Sequence, residues 1–215
     1  MKRFIVLSGY FNIIYGGVIF IFWMLYGLIF PFTEPSTSII PLVSHPHWIW
    51  INTLGAFSII CGIIGLTGMF FVQMTSGKLL ALIGFILAVA GLVIAAGQLF
   101  WEAYIWKILV QNSPDMLTFD GPIYTDTPLK AIIITGGVFF SAGYFLFGMA
   151  CRSDENLSSW GLQLIAIGAP LFAFAPFFGE AHQAIRITGV VVFATGLILT
   201  GIKMIRGNNF APETE

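Results

Sequence analysis

Charge is what this chain has least of. Only 9% of its 215 residues are Asp, Glu, Lys or Arg, against 58% hydrophobic ones. So little polar surface cannot coat a soluble globule, whereas a bilayer needs no such coat. Nor is the charge lopsided. Nine cationic and ten acidic side chains leave a formal net charge of −1, so there is no basic patch and nucleic acid is not an expected partner. Cysteine is nearly absent as well. Cys61 and Cys151 are too few and too far apart for a disulfide framework and read as small apolar side chains. The P-loop, the dinucleotide fingerprint and the serine nucleophile elbow are all missing.

What is present is long apolar runs. Crossing a hydrocarbon core takes about 20 mostly apolar residues, and hydropathy supplies six such runs, near 4–30, 48–73, 79–101, 131–151, 161–178 and 185–205. They fill the chain and leave room for one polytopic membrane domain over residues 1–215. The expected fold is therefore an all-α integral membrane protein, a six-transmembrane-helix bundle. Lys2 and Arg3 precede the first run, which continues to Phe30-Pro31 without a small-residue cleavage site, so it reads as a retained helix and not a signal peptide. Cationic loops stay on the cytoplasmic side. With the amino terminus inside, Lys2, Arg3, Lys78, Arg152, Lys203 and Arg206 fall there, and Lys107, Lys130 and Arg186 fall outside, six against three. This favours cytoplasmic N and C termini and a multi-pass protein of the plasma (inner) membrane.

The helices also repeat. The outward-running helices align through small residues seven apart: Gly9 and Gly16, Gly84 and Gly91, Gly168 and Ala175. The inward-running ones do the same through Gly55 and Gly62, Gly136 and Gly143, Gly189 and Gly196, and "ITGGVFFSAGYFLFGM" aligns with "ITGVVVFATGLILTGI" up to Gly148 and Gly201. Seven residues are close to two helical turns, so each pair marks one stripe along which neighbouring helices can approach closely. The pattern suggests three duplicated helical hairpins. Gly62, Gly143 and Gly196 are expected at helix contacts.

No ionisable side chain falls in mid-membrane. Asn12, Asn52, Gln98, Ser58, Ser141 and Thr195 are polar but neutral, and are expected to bond across helices or to their own backbone. This disfavours an ion-coupled pump, a retinal-type Schiff base and a haem held within the core. The outer side is different. There "SHPHWIW" carries His45 and His47, "GEAHQAIR" carries Glu180 and His182, and Glu102 and Glu34 share the same depth. Imidazoles and carboxylates suit zinc or another transition metal, so His45, His47, His182, Glu102 and Glu180 are the candidate metal ligands. The expectation is that His45 or His47 approaches His182 and one of the two glutamates. Against it, Pro46 separates the first two rings, neither stretch is a metal motif, and interfaces suit histidine, carboxylate and tryptophan anyway. Asp115, Asp120 and Asp126 are too irregular for a calcium loop.

Two stretches add shape. "EAYIWKILVQ" after the third run reads as an extended or interface-lying segment, and with the loops around it could form a small external cap. Pro170 and Pro176 should bend the fifth helix, where Phe172, Phe174, Phe177 and Phe178 would offer an aromatic wall to a lipid-like ligand. The functional expectation is a non-catalytic polytopic membrane protein, either an accessory subunit of other membrane proteins or a binder of membrane lipid or another hydrophobic ligand. The alternatives are a membrane enzyme or metal-binding protein with a His/Glu site at the outer interface, and a transporter of a neutral solute.

Overall fold

The computed structural model describes residues 1–30, 39–73, 79–118, 120–125 and 128–209. Six long helices carry the fold: α1 (Lys2–Ile29), α3 (Trp48–Gln73), α4 (Leu79–Asn112), α6 (Pro128–Cys151), α7 (Ser159–Phe174) and α8 (His182–Asn209). Two short ones, α2 (Ile40–Ser44) and α5 (Pro122–Thr125), lie between them. Among the described residues there is no β-strand. Helices are the expected solution because lipid offers backbone groups no partner, and a helix satisfies them within one segment.

Five stretches are long and apolar enough to cross a membrane: Lys2–Ile29, Trp48–Gln73, Leu79–Asn112, Lys130–Cys151 and Ser159–Gly207. The last, 49 residues long, folds back on itself. A 3-10 stretch at Ala175–Ala181 separates α7 from α8, and within it Gly179 takes φ 53°, ψ −128°, a backbone region open chiefly to glycine. Pro170 sits inside α7 and leaves it helical, whereas Pro176 marks its end. At the other end Ser158 caps α7 by accepting a hydrogen bond from the Gly161 amide at 3.1 Å.

Each long helix packs on the next one in the chain, and α8 returns to α1, closing a ring. Glycine makes the seams. A methyl group added at Gly84 or Gly91 of α4 would lie 2.9 Å from the carbonyl oxygen of Gly143 or Gly136 of α6. One added at Gly161 or Gly168 of α7 would lie 2.9 Å from that of Gly196 or Gly189 of α8. The two hairpins are thus built alike, and the geometry corrects the sequence alignment in two places. The partner of Gly84/Gly91 is Gly161/Gly168, one heptad earlier than Gly168/Ala175. Gly9 and Gly16 do not face the α3 of their own hairpin but close the ring, against Gly201 and Ala194 of α8. A seven-residue period hides a seven-residue slip, which only the partner helix exposes. Gly62, Gly143 and Gly196 do lie at contacts, against Tyr15, Ala88 and the Gly161 carbonyl.

The helical 79–101 run continues unbroken to Asn112. At 1.5 Å per residue its 34 residues span about 51 Å, well beyond a hydrocarbon core of about 30 Å. The projecting turns hold a small cap, as the loop composition suggested. Val43 of α2, Leu117 of a 3-10 turn (Pro114–Leu117) and Ile123 of α5 are buried together with Trp106. Lys107 Nζ donates to the carbonyls of Val43 and Ser44, each at 3.0 Å, filling acceptors that the end of α2 leaves open. This end of the bundle is termed the cap end; the opposite one holds the chain's amino terminus and the 152–158 loop.

Candidate functional site

The candidate ligands fall in separate places at the cap end. His45 and His47 do come together: the turn through Pro46 sets their ring centroids 5.1 Å apart. Their hydrogen bonds, however, engage the wrong nitrogens for a metal. The His47 amide donates to His45 Nδ1 at 3.2 Å, and Trp50 Nε1 donates to His47 Nδ1 at 2.9 Å. Both Nδ1 lone pairs are thus occupied, whereas a ligating imidazole presents a free lone pair and donates from its other nitrogen. His182 Nδ1 lies 2.8 Å from the Gly179 carbonyl. Glu180 is exposed in the α7–α8 turn, and Glu102 Oε1 accepts from Gln98 Nε2 at 2.7 Å. Among the described residues no group of three or more His, Cys, Asp or Glu side chains could hold a metal ion. The chain thus brings the two "SHPHW" histidines to each other, and not to a shared set with His182 and the glutamates. Glu34 and Asp126 lie outside the described residues. Four of the neutral polar residues behave as expected: Asn52, Ser58 and Thr195 bond to carbonyls three or four residues back, and Asn12 Nδ2 reaches the Gly65 carbonyl of α3 at 3.1 Å, whereas Gln98 donates to the Glu102 side chain of its own helix.

The ring interior is the more informative place. Contacts between helices that are not neighbours in the ring must cross it, and those between α6 and α8 and between α7 and α1 are aromatic. Tyr144 and Phe140 of α6 meet Phe193 of α8 edge-on, with centroids 4.9 and 5.4 Å apart, and Tyr15 of α1 meets Phe193 at 5.8 Å. Phe140 continues to Phe172 of α7, and Phe172 to Trp23 of α1 at 5.2 Å. Toward the amino-terminal end the interior is closed: Ala88, Tyr144, Ile165, Leu197 and Met204 are fully buried.

At the cap end the same interior stripes are only half-buried. Trp23, Ala95, Phe172 and Arg186 keep partial exposure, as do Gln98 and Glu102. Arg186 lays its guanidinium over the Trp23 ring at 5.0 Å, a cation–π contact in a setting where arginine gains most from one. A chain of contacts puts these groups at one level. Trp48 Nε1 donates to the Glu102 carbonyl at 2.7 Å, the Trp48 ring lies 6.2 Å from Tyr26, and a methyl at neighbouring Gly27 would meet Gln183 of α8 at 3.0 Å. Among the described residues the inward stripes are thus tightly packed toward the amino-terminal end and only partly buried at the cap end, where α4 carries the Gln98–Glu102 pair and α1 with α8 carry Trp23 and Arg186.

Sequence reading passed over Trp23 and Arg186 as site residues. The signal was present in the heptads, since Trp23 follows Gly16 by seven and Arg186 precedes Phe193 by seven. The aromatic wall expected of the fifth helix divides: Phe172 packs inward against Trp23 and Phe140, while Phe174, Phe177 and Phe178 are exposed. Comparison with protein-family models, with curated proteins and with solved structures finds no match for this chain.

Proposed function

We propose that this chain is a non-catalytic membrane protein that binds a lipid or other hydrophobic ligand between the helices at the cap end. One observation carries the reading: the ring interior is closed by interlocked aromatics below and half-exposed above, with an apolar wall and a few polar groups near its mouth. That combination is what ligand sites between helices offer. The aromatic floor, fully buried at Tyr15, Tyr144 and Phe193, supports a binder over a transporter of neutral solutes. The lysine and arginine distribution supports six crossings, with α7 and α8 as separate spans, both termini cytoplasmic and the cap outside, in a plasma (inner) membrane.

A photoactivatable fatty amphiphile tests the reading. Added to the protein in nanodiscs and illuminated, it should label the segments around Trp23 and Phe172 and be competed by unlabelled lipid. Labelling confined to outward-facing side chains such as Phe57, Ile86 and Trp160, all exposed on the bundle surface, would refute a site inside the ring.

A further inference from the structure

A net charge near zero conceals a local excess of one sign. Neither α1 nor α8 contains an Asp or Glu, yet at the amino-terminal end of the bundle these two helices carry Lys2, Arg3, Lys203 and Arg206, all four exposed. The seam between them fixes their relative depth. A methyl at Gly9 would lie 2.9 Å from the Gly201 carbonyl oxygen and 2.9 Å from Ile205 Cγ1, so Gly9 stands level with the turn from Gly201 to Ile205. At 1.5 Å per residue Lys203 shares that level, while Arg206 lies about 5 Å further out and Arg3 and Lys2 about 9 and 11 Å out. Such a band matches a headgroup layer of about 5–8 Å on each side of the bilayer, widened by the reach of flexible cationic side chains.

The protein supplies these cations with no counter-charge among its described residues. None of the four side chains has a hydrogen bond or ion pair there. Of the acidic residues at this end, Asp154 turns into its own loop and accepts from the Asn156 amide at 2.8 Å, and Glu155 shares the 152–158 loop with Arg152. Glu213 and Glu215 lie outside the described residues. Below Arg3 the surface of α1 turns apolar. Leu7, Tyr10 and Ile14 follow it at helical spacing and are exposed. Cations set above an exposed apolar face suit an anion that brings its own hydrocarbon.

We propose that the paired ends of α1 and α8 form a docking surface for an anionic phospholipid, in the leaflet on the side assigned above to the cytoplasm. Lys2, Arg3, Lys203 and Arg206 take the phosphate, the arginines through their planar forks, and the acyl chains lie against Leu7, Tyr10 and Ile14. Lysine and arginine near an anionic headgroup each add to the attraction, whereas a zwitterionic lipid brings an ammonium into the same cluster and binds less well. This surface lies at the end of the bundle opposite Trp23 and Phe172 and is independent of the ligand proposed there.

The test is native mass spectrometry of the detergent-solubilised full chain with equimolar phosphatidylglycerol and phosphatidylcholine of identical chains. Wild type should retain phosphatidylglycerol over phosphatidylcholine by about tenfold. Arg3→Gln combined with Arg206→Gln should cut that preference to about twofold or less at an unchanged melting temperature, since neither side chain has a described partner to lose. Lys203→Gln alone should lower it about threefold and remains informative if the arginine pair folds poorly. Lys130→Gln, which removes an exposed cation at the cap end, should leave it intact. Equal retention of both lipids by wild type, a preference that survives the arginine pair, or one lost equally in Lys130→Gln overturns the assignment. So does full displacement of the lipid by excess glycerophosphoglycerol, which would make this a site for a free phosphate ester. A preference that emerges only after Glu213 and Glu215 are replaced by glutamine would make the chain's own last residues the occupant, and also overturns it. Photolabelling at Trp23 and Phe172 is indifferent to all of these results, so each proposal falls by its own measurement.

Discussion

The seam between α4 and α6 makes a quantitative claim through Gly91→Ala. The added methyl would sit 2.6 Å from Phe140 Cα and 2.9 Å from the Gly136 carbonyl oxygen, against an ordinary carbon contact of about 3.5–4.0 Å. Backbone atoms cannot rotate away as a side-chain tip can, so the two helices must part by about 1 Å at this level. Overpacking of this kind costs about 1–3 kcal/mol, and a rigid neighbour puts it at the upper end. The same helix supplies the control. Six residues on, Gly97 has nothing within 4 Å of its missing side chain, so Gly97→Ala keeps only the helix-propensity gain of about 0.5–1 kcal/mol. One chemical change on one helix should therefore have opposite signs, with a difference of about 2–4 kcal/mol. Unfolding in mixed SDS and mild-detergent micelles, followed by circular dichroism, measures both, and Gly137→Ala serves as a second open position. If Gly91→Ala proves as stable as Gly97→Ala, the close backbone approach described for this seam does not exist.

Other consequences are simpler to state. Lys107→Met removes the ammonium that caps the α2 carbonyls and should loosen the cap by about 1 kcal/mol, after discounting for its partial exposure; amide exchange over residues 39–48 should speed up, and unchanged protection there would show that α2 holds without it. A His45→Ala, His47→Ala double variant should carry the same zinc, copper and iron content as wild type by elemental analysis, because both Nδ1 lone pairs are already engaged. A stoichiometric metal lost on mutation would reverse that conclusion. For topology, a lone cysteine placed at Ser153, in a background with the buried Cys61 and Cys151 replaced, should react with an impermeant maleimide only once the cytoplasmic side is opened. Labelling of intact cells would invert the orientation proposed for the bundle.

Composition alone determined that this chain enters a membrane and does so as helices. Its paucity of charge and its apolar runs leave no other way to satisfy backbone polar groups, and the limits of α3, the start of α4 and the end of α6 followed from the same hydropathy. The glycine stripes were legible too, because a missing side chain is a property of one residue. Their pairing was not. A heptad stripe looks the same after sliding by seven, so Gly161 and Gly168 were recognised as the counterparts of Gly84 and Gly91 only when α8 lay against them, and Gly9 and Gly16 were assigned to the ring closure only when α8 returned to α1. The length of α4 escaped hydropathy because Glu102 and Lys107 look like a membrane boundary, although Trp48 and the α2 carbonyls satisfy that turn within the cap. Above all, depth in a bilayer is a one-dimensional quantity. It placed His45, His47, His182, Glu102 and Glu180 at one level, but which side of its helix each residue occupies, and which helix stands opposite, is set by packing around the ring. That packing turned the two histidines toward each other and Trp50, and it brought Trp23 into contact with both Phe172 and Arg186, each more than a hundred positions further along the chain.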